Sequence, residues 1–228
     1  SQYAVSFSSA TAALHGACFS SGVGPGDEVI TTPFTLAASA NCVLYVGGTV
    51  RFVDTYSDIP VIDPQNIRGA ITKKTKAIIS IDYSGLPVDY DEIALIAREN
   101  GLIFISDAAH SIGATYKGRK IGALADMSIF SFHPVKAITT GEGGMVVTNN
   151  KEFYEKLLIF RSHGITKDKK QFKNTSAGPW YYEMHELGYN YRMTDIQAAL
   201  GSSQLKKLDF FIRERQKIAS IYKNLFSS

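Results

Sequence analysis

The chain contains 228 residues, 45% of them hydrophobic, and its formal net charge is +3. That length suffices for one sizeable core, and the small net charge gives no reason to expect a nucleic-acid or acidic-membrane partner. No apolar stretch reaches the length of a membrane span, and the first residues lack the basic and hydrophobic segments of an export signal. We therefore expect a globular cytoplasmic protein.

The two cysteines, Cys18 and Cys42, lie among small apolar residues in segments with helical spacing. These surroundings favour reduced thiols inside a core over a disulfide or a metal site. No group of cysteines and histidines has the spacing of metal ligands, so no metal is expected.

Short apolar runs alternate with helical patterns through the first two thirds of the chain. Runs typical of strands cover residues 3–7, 28–31, 50–54, 77–81, 102–106, 127–132 and 144–148, and helical spacing covers 11–19, 35–45 and 90–100. Apolar strands separated by helices predict an α/β fold with a mostly parallel central sheet and helices on both faces. A short glycine-rich stretch joins the last two runs, which allows one of them to be antiparallel.

The final third of the chain has a different pattern. Residues 151–163 are expected to be helical, 164–186 are polar and aromatic, and 194–226 carry apolar residues at helical spacing. No later element in the sequence covers the apolar face of that last stretch. We therefore expect 1–193 to form the main domain and 194–228 to form a long helix that leads toward a further segment.

Ligands of open α/β sheets bind at the carboxyl ends of the strands, so a site is expected in the loops there. After the first predicted strand, Ser8, Ser9, Ala10 and Thr11 open a helix. The free N–H groups and hydroxyls of such a helix start suit a phosphate. Taken alone, the loop is better explained as an ordinary helix N-cap.

Two further loops carry residues suited to catalysis. Asp107 ends a buried strand, where a carboxylate needs a fixed cationic or N–H partner, and His110 follows one turn later. Lys136 lies five residues after Ser131, just past another buried strand, where partial desolvation would let its amine condense with a carbonyl. A structural histidine and a solvated loop lysine are the alternatives at these positions.

Together these loops offer the contacts that hold pyridoxal 5'-phosphate (PLP): a phosphate cradle, a carboxylate for the ring nitrogen and a desolvated lysine. The chain resembles the large domain of the fold-type I PLP aminotransferases that act on nucleotide-linked sugars, the DegT/DnrJ/EryC1/StrS family. The matching segments are residues 9–15, 24–31, 107–110, 131–136, 141–144 and 187–195. The residues most similar to the PseC-type members, which make the 4-amino sugar precursor of pseudaminic acid, are His110, His133-Pro134 and Gly178-Pro179-Trp180.

The resemblance implies a role for each matched residue. Lys136 would form a Schiff base with the cofactor and shuttle a proton, Asp107 would pair with the pyridinium, and His110 would contact the 3'-oxygen. The residues implied at the cofactor phosphate are Ser9, Ala10, Thr11 and Ser131. Asn190 would reach the phosphate of a neighbouring subunit, with Arg192 as the alternative or additional contact, which implies a homodimer with shared active sites. The implied reaction transfers the amino group of glutamate, through PLP, to a 4-keto-6-deoxy sugar linked to UDP.

Two departures from the family pattern bear on these expectations. Leu36 lies where the family usually has an aromatic ring that stacks on the cofactor, and an aliphatic side chain would cover the cofactor less specifically. The 228 residues also leave unmatched the family's small C-terminal domain and a segment before the phosphate loop. Residues 1–193 then correspond to the PLP-binding large domain.

Other functions stay open. A non-catalytic fragment that binds PLP or a sugar nucleotide would keep the same loops, and a different nucleotide-sugar aminotransferase would make a 3-amino or another 4-amino sugar. A PLP sugar dehydratase has histidine in place of the lysine, so Lys136 argues against it. Gly22, Gly24 and Gly26 precede a predicted strand, whereas a dinucleotide-binding loop would follow one, which argues against a dehydrogenase.

Overall fold

The computed structural model describes residues 1–174 and 178–227, and it has an α/β fold. Its strands are β1 (Tyr3–Phe7), β2 (Glu28–Thr31), β3 (Thr49–Phe52), β4 (Thr75–Ile81), β5 (Ile103–Asp107), β6 (Thr115–Tyr116), β7 (Arg119–Lys120), β8 (Met127–Ser131), β9 (Gly144–Thr148), β10 (Ile165–Thr166) and β11 (Glu183–Met184). Its helices are α1 (Ala10–Ser20), α2 (Ala38–Tyr45), α3 (Pro64–Ala70), α4 (Tyr90–Glu99), α5 (Lys151–Phe160), α6 (Asp195–Leu205) and α7 (Leu208–Phe226).

Seven strands form the central sheet in the order β1-β9-β8-β5-β4-β2-β3. Strand β9 pairs antiparallel with β1 and with β8, and the other neighbours pair parallel. The predicted mostly parallel sheet is therefore confirmed. Because β9 runs in the opposite direction, its first residue, Gly144, pairs with the last residues of β1 and β8, Phe7 and Ser131. We call this side of the sheet the carboxyl edge.

Helices cover both faces of the sheet, as the sequence predicts. On one face, Ile79 and Ile105 share an apolar cluster with residues of α1 and α5. On the other face, Ile78 and Phe104 pack with residues of α3 and α4. Successive residues of a strand point to opposite faces, so a strand covered on both faces needs an almost continuous apolar sequence.

The two cysteines lie where α1 meets α2. Cys18 and Cys42 are buried and free, and their sulfur atoms are 3.5 Å apart. Both side chains thus belong to the core, as expected from their small apolar neighbours.

Two helices differ in extent from the prediction. The helix expected over 35–45 begins only at Ala38, because Thr35 belongs to a turn in which its N–H donates to the carbonyl of Pro33. The helix expected over 151–163 ends at Phe160, and the chain then turns through His163 (φ 62°) and Gly164 (φ 68°).

The prediction of one long helix over 194–228 is wrong, because the structure has two helices there, α6 and α7. Thr194 caps α6, and the helical conformation is interrupted at Lys207 (φ −104°, ψ 2°) before α7 begins. The apolar spacing continues through the interruption, so the pattern alone does not reveal it. The domain division at 193/194 stays a prediction, and Ser228 lies outside the described residues. Among the described helices, none is both long and apolar enough to cross a membrane.

Candidate active site

The loop between β1 and α1 exposes backbone N–H groups at the carboxyl edge. Ser9 caps α1: its Oγ accepts the N–H of Ala12 at 3.1 Å, and its carbonyl accepts the N–H of Ala13 at 3.1 Å. Within residues 1–174 and 178–227, the N–H groups of Ala10 and Thr11 have no protein acceptor. They lie at the positive end of the helix dipole, which favours an anion. The same loop is thus both a helix cap and a suitable phosphate site.

Gly144 allows this loop to lie directly against the sheet. A Cβ added to Gly144 would be 2.5 Å from the backbone N of Ala10 and 2.5 Å from the carbonyl carbon of Ser9. No side chain fits at that separation, so the close approach of the two backbones requires glycine. Ser131, the ladder partner of Gly144 on β8, is buried at the same place, and among the described residues its Oγ accepts one long bond, of 3.4 Å, from the N–H of His133.

Asp107 is a buried carboxylate at the end of β5. Its Oδ2 accepts a hydrogen bond from the hydroxyl of Ser39 at 2.7 Å, and its Oδ1 accepts the N–H of Ala109 at 3.2 Å. Burial raises the pKa of Asp107, and these two hydrogen bonds oppose the rise. Among the described residues, no basic side chain forms an ion pair with it. A buried carboxylate that has hydrogen-bond donors but no ion pair suits a cationic partner such as a protonated ring nitrogen.

Lys136 lies in the loop of residues 132–143 that joins β8 to β9, which we call the lysine loop. Its N–H donates to the carbonyl of His133 at 3.0 Å, and its side chain is half-buried. Burial lowers the pKa of the Lys136 amine, and the nearby charge of Asp107 opposes this. The lysine, in the loop after β8, and the aspartate, at the end of β5, are therefore close enough for their charges to interact.

His110 is held by a neighbouring loop. Its Nδ1 accepts the N–H of Ser84 at 3.2 Å, and Ser84 has an unusual left-handed conformation (φ 53°) for a residue other than glycine. This bond assigns the ring proton to Nε2, because Nδ1 acts as the acceptor. Burial lowers the pKa of His110, and the charge of Lys136 lowers it further. His110 is thus a neutral ring that offers one N–H donor at Nε2.

A buried polar cluster beneath the site was missed by the sequence reasoning. Asp82, directly after β4, accepts hydrogen bonds from the N–H of Val88 at 3.1 Å, the hydroxyl of Tyr90 at 2.8 Å and the hydroxyl of Ser111 at 2.6 Å. The N–H of Asp82 donates to the carbonyl of Asp107 at 3.1 Å. Asp82 therefore fixes the loop that carries Asp107. Asp82 could have been found from the same sequence signal as Asp107, namely a carboxylate at the end of an apolar strand.

The remaining predicted residues lie beside this group with exposed side chains. The segment of Asn190 and Arg192 contacts the phosphate loop of its own chain, since the carbonyl of Tyr191 accepts the N–H of Ser8 at 2.7 Å. The side chains of Asn190 and Arg192 are exposed, and that of Leu36 is 76% exposed. Their contacts with a cofactor or a neighbouring subunit stay predictions.

An anion site, a buried carboxylate and a partly desolvated lysine at one sheet edge define an enzyme class that holds a phosphorylated cofactor beside a lysine. The family described as DegT/DnrJ/EryC1/StrS aminotransferases matches residues 1–228, and the chain belongs to this family. The UDP-4-amino-4,6-dideoxy-N-acetyl-beta-L-altrosamine transaminase of Campylobacter jejuni is 44% identical in an alignment of 228 positions that covers 99% of this chain and 58% of that protein. The GDP-perosamine synthase of Escherichia coli is 40% identical in an alignment of 227 positions that covers 100% of this chain and 59% of that protein.

A solved structure has the same fold. The structure of Helicobacter pylori PseC, an aminotransferase involved in the biosynthesis of pseudaminic acid, is 38% identical and superposes with a TM-score of 0.90, covering 99% of this chain and 58% of that one. The chain thus spans less than two thirds of the length of these relatives. The predicted family is confirmed, and with it the aminotransferase class and the PLP cofactor that characterise that family. The individual residue roles stay predictions, and the geometry of the carboxyl edge fits them.

Proposed function

We propose that this protein is a PLP-dependent aminotransferase that transfers an amino group to a keto sugar carried on a nucleotide. One observation carries the proposal: the free N–H groups at the start of α1, the carboxylate of Asp107 and the amine of Lys136 all lie at the carboxyl edge. When bound, PLP supplies an electron sink for the carbon that gains or loses the amino group. Because the chain spans 58% of the Campylobacter relative, activity, substrates and partners all belong to the proposal.

Asp107 and Lys136 divide the proton chemistry between them. Asp107 is costly as a free buried anion, so it binds a cationic ring nitrogen and keeps that nitrogen protonated. Lys136 has a lowered pKa, which favours the neutral amine. Its Nζ can therefore accept a proton from one carbon and return it to another during amino transfer.

The other residues of the carboxyl edge bind and orient. The N–H groups of Ala10 and Thr11, with the hydroxyls of Ser9, Thr11 and Ser131, hold the phosphate at the start of α1. The Nε2–H of His110 donates to the 3'-oxygen of the cofactor ring, and a neutral imidazole suffices for this. Leu36 covers the ring with an aliphatic face.

For the substrates, we propose glutamate as the amino donor and a UDP-linked 4-keto-6-deoxy sugar as the acceptor. The support is the PseC-type pattern around His133 and Trp180 and the 44% identity to the Campylobacter transaminase. A second candidate is a different nucleotide-sugar aminotransferase, which the 40% identity to a GDP-perosamine synthase favours. A fragment that binds the cofactor without turnover is the third.

We also propose a cytoplasmic homodimer with shared active sites. The exposed side chains of Asn190 and Arg192, next to the phosphate loop, are available to the phosphate of a neighbouring subunit. The free thiols of Cys18 and Cys42, 3.5 Å apart, suit a reducing compartment.

The test is a visible absorption spectrum of the purified protein with PLP. We expect a band of lysine-bound cofactor that changes when glutamate is added, and that is absent from K136A but present in the control K151A, since Lys151 is exposed on α5. Turnover by K136A should be below about a thousandth of the wild-type rate with UDP- or GDP-linked keto sugars. The absence of any such band from the wild type would refute the proposed function.

A further inference from the structure

Helices α6 and α7 contact two loops of the candidate site. A Cβ added to Gly201 of α6 would lie 2.7 Å from Cγ2 of Thr140, so the backbone of α6 packs directly on the lysine loop. A Cβ added to Gly113, three residues after His110, would collide with Cδ1 of Ile212 on α7. Residues outside the predicted main domain thus support loops inside it.

Arg215 connects α7 to the peptide that carries the lysine. Its Nη1 donates to the carbonyl of Ala137 at 3.2 Å, and its Nη2 donates to the carbonyl of Lys136 at 3.4 Å. Within the described part of the chain, these two carbonyls have no other donor. Arg215 follows Ile212 by about one helical turn, so the contact of Ile212 with Gly113 places the turn of α7 from which the Arg215 side chain extends.

We propose that Arg215 is a positioning residue for Lys136. A guanidinium has several donors in one rigid plane, so bonds to two successive carbonyls restrict both the position and the orientation of the peptide between them. The peptide in turn sets the direction in which the Lys136 side chain leaves the lysine loop. The inference rests on the proposed function, because it assigns Arg215 a part in placing the reactive amine near Asp107.

The experiment compares R215M, R215K and the control R213M, since Arg213 is exposed on the same helix and makes no hydrogen bond to the lysine loop among the described residues. The first measurement is amide hydrogen exchange over residues 132–143 in the cofactor-free protein. We expect R215M to accelerate exchange there by about fivefold and R213M to leave it unchanged. The second measurement is kcat and KM of the PLP-loaded protein.

For R215M we expect kcat to fall by about tenfold while KM for both substrates stays within about twofold, because the amine is misplaced and substrate contacts are retained. R215K keeps a cationic donor nitrogen but not the planar pair that reaches two carbonyls, and it should recover part of the loss. Unchanged exchange in R215M, an equal effect of R213M, or an unchanged kcat would overturn the proposal. Absence of turnover in the wild type would instead refute the proposed function. The exchange measurement needs no cofactor, so it tests the contact of Arg215 with the lysine loop independently of that function.

Discussion

The hydroxyl of Ser39 donates a hydrogen bond of 2.7 Å to Oδ2 of Asp107, and both side chains are buried. Ser39 lies on α2 and Asp107 ends β5, so a helix from one part of the chain orients the carboxylate of another. The hydroxyl of Thr35 shares a further bond of 2.8 Å with Ser39. The direction of the carboxylate is therefore set largely from outside its own loop.

Replacement of Ser39 by alanine should weaken cofactor binding. The carboxylate of Asp107 would lose one of its two donors, which costs roughly 1–2 kcal/mol, so we expect about a tenfold rise in the Kd of PLP in a fluorescence titration. The control is S80A, because Ser80 is also buried but its hydroxyl has no partner among the described residues. S80A should leave the Kd unchanged, and an equal Kd for S39A and the wild type would contradict the role of Ser39.

Replacement of Asp107 by asparagine should have opposite effects on stability and cofactor affinity. Burial raises the pKa of Asp107, so its protonated form stabilises the fold below the unfolded pKa, and this contribution is lost as pH rises through the folded pKa. Without PLP, D107N should thus be more stable than the wild type above about pH 4, by a margin that grows with pH to about 1 kcal/mol. Urea unfolding between about pH 4 and about pH 8 measures this margin.

With PLP the order should reverse, because a neutral amide cannot pair with the ring cation. We expect D107N to bind PLP at least about tenfold more weakly than the wild type. A D107N protein that is less stable than the wild type at every pH would show that the carboxylate contributes more to the fold than its burial costs.

Replacement of Gly144 by alanine should impair the phosphate site. The new methyl group would lie 2.5 Å from the N of Ala10 and would push the start of α1 away from β9. We expect the Kd of PLP to rise by more than about tenfold. The matched control is G69A in α3, where an added Cβ meets nothing within 4 Å and should stabilise the helix by about 0.5–1 kcal/mol. Wild-type affinity in G144A would exclude this loop as the phosphate site.

Replacements of His110 should show whether its ring acts as a neutral hydrogen-bond donor or as a cation. H110Q keeps an N–H donor and should retain activity within about fivefold, whereas H110L removes the donor and should lose more than about tenfold. Because burial and Lys136 lower the pKa of His110, the ring is neutral near pH 7. The pH–rate profiles of H110Q and the wild type should therefore have the same shape above about pH 7, and a difference in shape there would contradict the neutral state of the ring.

Local patterns in the sequence predicted the strands of the central sheet and placed their carboxyl ends within one residue, except for β3, which ends at Phe52 and not at residue 54. The apolar runs of β4, β5 and β8 show where strands end, and Asp107 and Ser131 lie at the ends of two of them. The interruption between α6 and α7 was not predictable, because the apolar spacing persists across Lys207. Asp82 was missed although its position after β4 matches that of Asp107 after β5, and the hydroxyl partners that hold it come from two separate segments.

The sequence by itself determined the fold class and the strand ends where the candidate residues lie, since strand periodicity and helix-start chemistry act over a few neighbouring residues, and its motifs carried the family resemblance. Only the tertiary structure decided which groups orient those residues. Ser39 on Asp107, Gly144 against Ala10 and Arg215 on the lysine loop each join segments distant in the chain. Such contacts depend on how strands are ordered and helices packed, and a single sequence carries no local signal for them.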